Sequence, residues 1–147
     1  MAAMKEFHFY IIMPAIAALE CGLILSGFLT PLSSYSAGNI AFSLVSVLVM
    51  ICMGWTLSGL GLKKVALKGA LAALAAVVVL SLFSIIGYGL GRPVLGMAVR
   101  SAYYLPAVLL SVSITNILIF TLFAAIGALL AGKFRHQKKS PQKKSRK

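Results

Sequence analysis

Aspartate is missing from this chain, and glutamate occurs twice, at Glu6 and Glu20. That scarcity excludes much soluble-style chemistry. A serine–histidine–acid arrangement would have to draw on one of those two carboxyls. The two histidines, His8 and His136, are expected at one membrane surface, far from Glu20. Cysteine is scarce as well. Cys21 and Cys52 both fall inside apolar runs, with no CxxC pair and no companion ligands at metal spacing. They read as reduced thiols packed like small apolar residues. No enzyme, metal site or cofactor is expected.

Polar stretches are short too. Hydrophobic residues make up 61% of the 147, and the mean hydropathy is +1.00, beyond what a soluble domain of this size balances with polar faces. Four long stretches carry at most one charge each, and a spanning helix needs about 20 such residues. Barrel strands would alternate apolar and polar residues, and nothing here does. The expected fold class is all-α: a polytopic membrane protein, a four-transmembrane-helix bundle, with both termini in the cytoplasm. Spans are predicted at about residues 7–29, 39–62, 69–90 and 104–132, forming one domain over 1–132. A disordered basic cytoplasmic tail is predicted over 133–147.

The first run resembles a signal peptide in its Ala15-x-Ala17 spacing, but it continues about twelve residues past Ala17 without turning polar and is read as a retained helix, kinked at Pro14. An uncharged turn, TPLSSYSAG, follows, and Asn39 is placed as the cap of the second span. Lys63, Lys64 and Lys68 mark the next turn. The segment RPVLGMAVR, residues 92–100, is predicted along the membrane surface, with Tyr103 and Tyr104 at interfacial depth. GFLTP at 27–31 and GLGRP at 89–93 stand at equivalent places, as parallel repeats would require; chance resemblance between glycine-rich apolar segments is the competing reading.

Orientation follows from the cations. Net charge is +12, and N-in, C-in topology puts Lys5, Lys63, Lys64, Lys68 and the tail inside, leaving Arg92 and Arg100 outside. The positive-inside rule favours that arrangement. The tail residues Lys133, Arg135, Lys138, Lys139, Lys143, Lys144, Arg146 and Lys147 are expected to contact anionic inner-leaflet lipids, each gaining about 1 kcal/mol near the headgroups. Nucleic acid is not an expected partner, because Phe134 and His136 are the tail's sole aromatic groups. A prokaryotic plasma membrane fits the short loops and the charge bias.

Glu20 is the residue of interest. An acid near mid-span costs roughly 2.5–3.5 kcal/mol to insert, so it serves either as a proton-carrying site or as a neutral hydrogen-bonding strut. At about 1.5 Å rise per residue, Asn116 on the fourth span and Ser81 on the third share its depth, with Thr115 adjoining. The predicted polar cluster is therefore Glu20, Asn116, Ser81 and Thr115, with contact between Glu20 and Asn116. Small residues four apart predict close helix packing: Ala18, Gly22 and Ser26; Gly87 and Gly91; Ala124, Ala128 and Gly132. The first of these seams, nearly opposite Glu20, could serve a homo-oligomer. GALLAGK at 127–133 matches a phosphate loop as far as its lysine, but Phe134 replaces the required Ser or Thr, and the glycines belong to a helix end.

In layout alone, with four spans, an acid in the first and AIAALECG at 15–22, the chain resembles the small multidrug-resistance transporters. Those carry third-span aromatics for cationic substrates, where this chain has mostly Ala, Val and Leu. Their antiparallel dimers also need balanced loop charges, so membership is not inferred. The expected function is a structural, assembly or accessory subunit of a membrane complex; the alternative is a small oligomeric transporter or channel using the intramembrane carboxyl of Glu20.

Overall fold

A computed structural model of the chain describes residues 2–34, 36–96 and 102–139. Four long helices dominate it: α1 (Ala2–Leu25), α2 (Ala37–Leu57), α3 (Leu62–Gly89) and α4 (Leu105–Lys139). Short 3-10 turns at Leu32–Ser34, Ser58–Leu60 and Ala102–Tyr104 punctuate the connections. All four helices are long and apolar enough to cross a membrane. Their outward side chains fit that solvent: Leu48, Leu110 and Leu118 are each at least 60% exposed, which water would not tolerate over so many positions.

Glycine chemistry sets the helix ends. After α1, Gly27 adopts φ 85°, and after α3, Gly91 adopts φ 68°. The N–H of Phe28 returns to the Leu23 carbonyl at 2.9 Å, and that of Arg92 to the Gly87 carbonyl at 2.8 Å. Both ends are therefore Schellman closures, with glycine at the left-handed position. This shortens the first span, which ends at Leu25 and not at residue 29. It also shifts the suspected repeat, because Gly27 pairs with Gly91 in role, whereas aligning the two prolines would pair it with Gly89.

Other boundaries move for local reasons. The hydroxyl of Ser36 accepts the Asn39 N–H at 3.4 Å and caps α2, so Asn39 lies inside the first turn and is not the cap. Helix α3 starts at Leu62, carrying Lys63, Lys64 and Lys68 within it; Ala, Leu and Lys are strong helix formers. Helix α4 continues through Lys139, beyond the expected end at residue 132. No glycine or proline interrupts residues 133–139, and cations suit a helix C-terminus. The remaining tail cations Lys143, Lys144, Arg146 and Lys147 lie outside the described residues, as do residues 97–100, Arg100 among them, of the segment predicted along the surface. Helix α1 passes through Pro14 without interruption.

Packing is strongest between α2 and α4, α1 and α3, and α3 and α4; α1 meets α2 along a short stretch and α2 barely reaches α3. Around the bundle the order is thus α1, α3, α4, α2, with a weak seam closing the ring. A core of Met13, Met50, Met53, Val65, Ala72 and Ala124 fills one half. In the other half, Cys21, Ile24 and Val94 form a smaller cluster. Two connecting loops interlock over that half: the Leu32 N–H bonds the Val94 carbonyl at 2.9 Å, and Arg92 Nη1 donates to the Leu25 carbonyl at 2.6 Å.

Candidate functional site

Beneath the interlocked loops, where α1 and α2 part, lies a cleft of about 680 Å³. That is within the roughly 300–1,000 Å³ of small-ligand sites. Its wall is mainly apolar, with Met13, Ala17, Val47, Leu80, Val112 and Phe120 among the contributors. Polar atoms enter from three helices and a loop: Glu20 and Cys21 on α1, Asn39, Ser43 and Ser46 on α2, Asn116 on α4, and Ser33.

Helix packing explains why these groups converge. Glu20 precedes Cys21, which is buried against α3, so the inward face of α1 carries the carboxyl to the cleft's edge. Asn39 is fixed by its amide, whose Nδ2 donates to the Thr30 carbonyl at 3.1 Å and the Pro31 carbonyl at 3.0 Å. Asn116 Nδ2 donates within α4 to the Val112 carbonyl at 2.9 Å.

The predicted cluster assembles in part. Glu20 and Asn116 stand on walls of the same cleft, yet no hydrogen bond joins them among the described residues. Glu20 Oε1 is buried without a hydrogen-bond partner, and the amide of Asn116 is turned to its own backbone. The cause is the ring order, which sets α1 and α4 diagonally across the interior. Ser81 is half-buried on α3, away from the cleft wall, and Thr115 is exposed. Rise per residue is the basis for expecting all four at one level, but neighbouring positions differ by about 100° around a helix, and that turn carries Thr115 outward.

The packing seams rearrange as well. A methyl group at Gly22 or Gly132 would meet nothing within 4 Å, and Gly91 is likewise open, its role being the left-handed turn. Ser26 is exposed and Ala18 half-buried. Gly87 does pack closely, against Leu25 and Val94, and Ala124 and Ala128 are buried as expected. Three other glycines also sit at close approaches between helices. A methyl on Gly54 would overlap the Ala124 carbonyl, one on Gly127 the Ile51 carbonyl, and one on Gly69 would lie 2.8 Å from Ala124 Cβ. Sequence held the signal, since Gly54, Gly69 and Gly127 each have a small residue four positions on, at Ser58, Ala73 and Ala131.

Missed too was Asn39 as a cleft residue, since its partners are loop carbonyls that no spacing rule anticipates. At the far end of the bundle, Lys133 and Arg135 are exposed on α4, with Lys138 and Lys139 completing its last turns. Phe134 stacks obliquely on Trp55, ring centroids 5.5 Å apart.

Four apolar helices around a polar-flecked cleft define an all-helical bundle compatible with an integral membrane protein. Comparison with family models, curated proteins and solved structures finds no match in any of the three.

Proposed function

We propose that this chain is a small membrane carrier in which the Glu20 carboxyl, on the wall of the cleft, takes part in moving a solute or proton. One observation supports the choice over a structural strut: Glu20 Oε1 is buried on the wall of a cleft and has no hydrogen-bond partner. A strut would be satisfied by a neighbour, because an unpaired buried acceptor costs about 1–3 kcal/mol with no structural return. Orphaned polar atoms beside a cavity fit a group whose partner comes and goes.

In this reading the protein sits in a prokaryotic plasma membrane with both termini cytoplasmic. The basic end of α4 and the tail lie on anionic lipid, and the open face of Ala18, Gly22 and Ser26 is free to meet a second copy. No catalytic group is assigned. Reconstitution into proteoliposomes tests the proposal. The wild type should carry proton-linked flux, and Glu20→Gln should reduce it at least tenfold while retaining the helical circular-dichroism spectrum. Equal flux in both would remove Glu20 from the transport step, and no flux in either, together with a partner protein that co-purifies, would instead support an accessory subunit.

A further inference from the structure

The unsatisfied buried atoms among the cleft-lining side chains are acceptors, beside the Ser33, Ser43 and Ser46 hydroxyls, which can donate or accept. Asn39 is 4% exposed, and because its Nδ2 faces two carbonyls, the amide orientation is dictated and Oδ1 is left over. That oxygen is buried and unpartnered, as is Glu20 Oε1. Asn116 is held the same way, its Nδ2 on the Val112 carbonyl, which leaves its own Oδ1 spare. Three side chains on three helices thus present surplus oxygen around one cleft. Among the described residues, no Lys, Arg or His contributes to its wall.

An occupant that satisfies these oxygens brings N–H donors and, opposite a carboxylate, a positive charge. An ammonium group has three donors and no acceptor. A quaternary ammonium has none and is held by aromatic faces instead, yet Phe120 is the one aromatic among the lining residues described. The apolar remainder of the wall fits a hydrocarbon body. Ile40, Leu44 and Ile119 line the cleft while remaining 49%, 59% and 43% exposed, so it opens on the flank of the bundle, between helices.

We infer that the cleft binds a primary amine with an apolar body, its ammonium held by Glu20, Asn39 and Asn116, entering from the side of the bundle. This rests on the carrier reading and names its solute. Either a free organic amine or the amine of a lipid headgroup supplies the same chemistry.

Binding to the full chain in phosphatidylcholine nanodiscs tests it, with octylammonium as the probe and octyltrimethylammonium and octanol as controls. Octylammonium should bind at least tenfold more tightly than either control. Glu20→Gln should remove at least tenfold of that affinity, and Asn116→Leu about threefold to tenfold. Replacing the lipid by phosphatidylethanolamine distinguishes the sources: weakened octylammonium binding assigns the site to a lipid amine, and unchanged binding to a free amine. Equal binding of the trimethyl compound or octanol overturns the inference on the wild type alone, whatever the variants do. Absent octylammonium binding with Glu20-dependent proton flux intact overturns it and leaves the carrier reading standing, whereas loss of both removes the two together.

Discussion

Asn39 lies in the first turn of α2, and its side chain ties that turn to the loop before it through the carbonyls of Thr30 and Pro31. Replacing it by alanine strands two carbonyls and opens the cleft roof. Asn39→Ala is expected to destabilise the bundle by about 1–3 kcal/mol, measured by unfolding in mixed detergent micelles. Asn39→Asp should cost more, because an ionised carboxylate has no donor and would face two carbonyl oxygens. If Asn39→Asp proves as stable as the wild type, the amide bridge carries no weight. Arg92 plays a related part at the end of α1, where its guanidinium satisfies the Leu25 carbonyl and complements the negative end of the helix dipole. Sequence predicted Arg92 as a charge on the outer side, yet held no hint of Leu25, because the bond joins positions brought together by tertiary packing. Glu20 is the opposite case. A lone acid in an apolar run is visible at once, and what needed the structure was the absence of a neighbour for it.

At the scale of helices, close approach between α2 and α4 depends on two glycines that face backbone, and no rotamer change relieves a clash with a carbonyl. Gly54→Ala and Gly127→Ala should each destabilise by about 1–3 kcal/mol through overpacking. Gly22→Ala and Gly132→Ala meet open space and should stabilise by up to about 1 kcal/mol through helix propensity. The opposite signs within one residue type make the comparison sharp, and thermal unfolding of the four variants in one detergent decides it. A dimer built on the Gly22 face would betray itself as a loss of the dimer peak on size exclusion for Gly22→Ala. The end of α4 offers a further check. Trp55 is the chain's single tryptophan, and Phe134 lies against it, so Phe134→Ala should change the fluorescence emission if α4 holds its helical path past residue 132. Helix number was legible because length and apolarity alone define a span. Helix ends and seams were less so: the former depend on which glycine turns left-handed, the latter on the direction each helix face points.

For the molecule as a whole, the helix order α1, α3, α4, α2 leaves a weak seam at α1 and α2 and opens the cleft there, a feature that loop lengths and hydropathy do not encode. Charge, by contrast, was readable in advance and the fold sorts it by end. The turn between α2 and α3 and the last turns of α4 share one end, since Trp55 meets Phe134 there, and this end carries the exposed Lys63, Lys64, Lys133 and Arg135. Arg92 is exposed at the other, beside the interlocked loops. An oriented bilayer discriminates between such ends, because lysine and arginine near span termini are retained on the cytoplasmic side. Cysteines introduced singly at the two ends, on a background in which Cys21 and Cys52 are replaced by alanine, read the outcome directly. Ser33→Cys sits in the exposed loop near Arg92, and Gly59→Cys in the exposed turn between α2 and α3. A membrane-impermeant maleimide added to intact cells should label the cysteine at position 33 and spare the one at 59, with both labelled after lysis. The reverse pattern would place the cationic end outside and remove the basis for setting α4 and its tail against the inner leaflet.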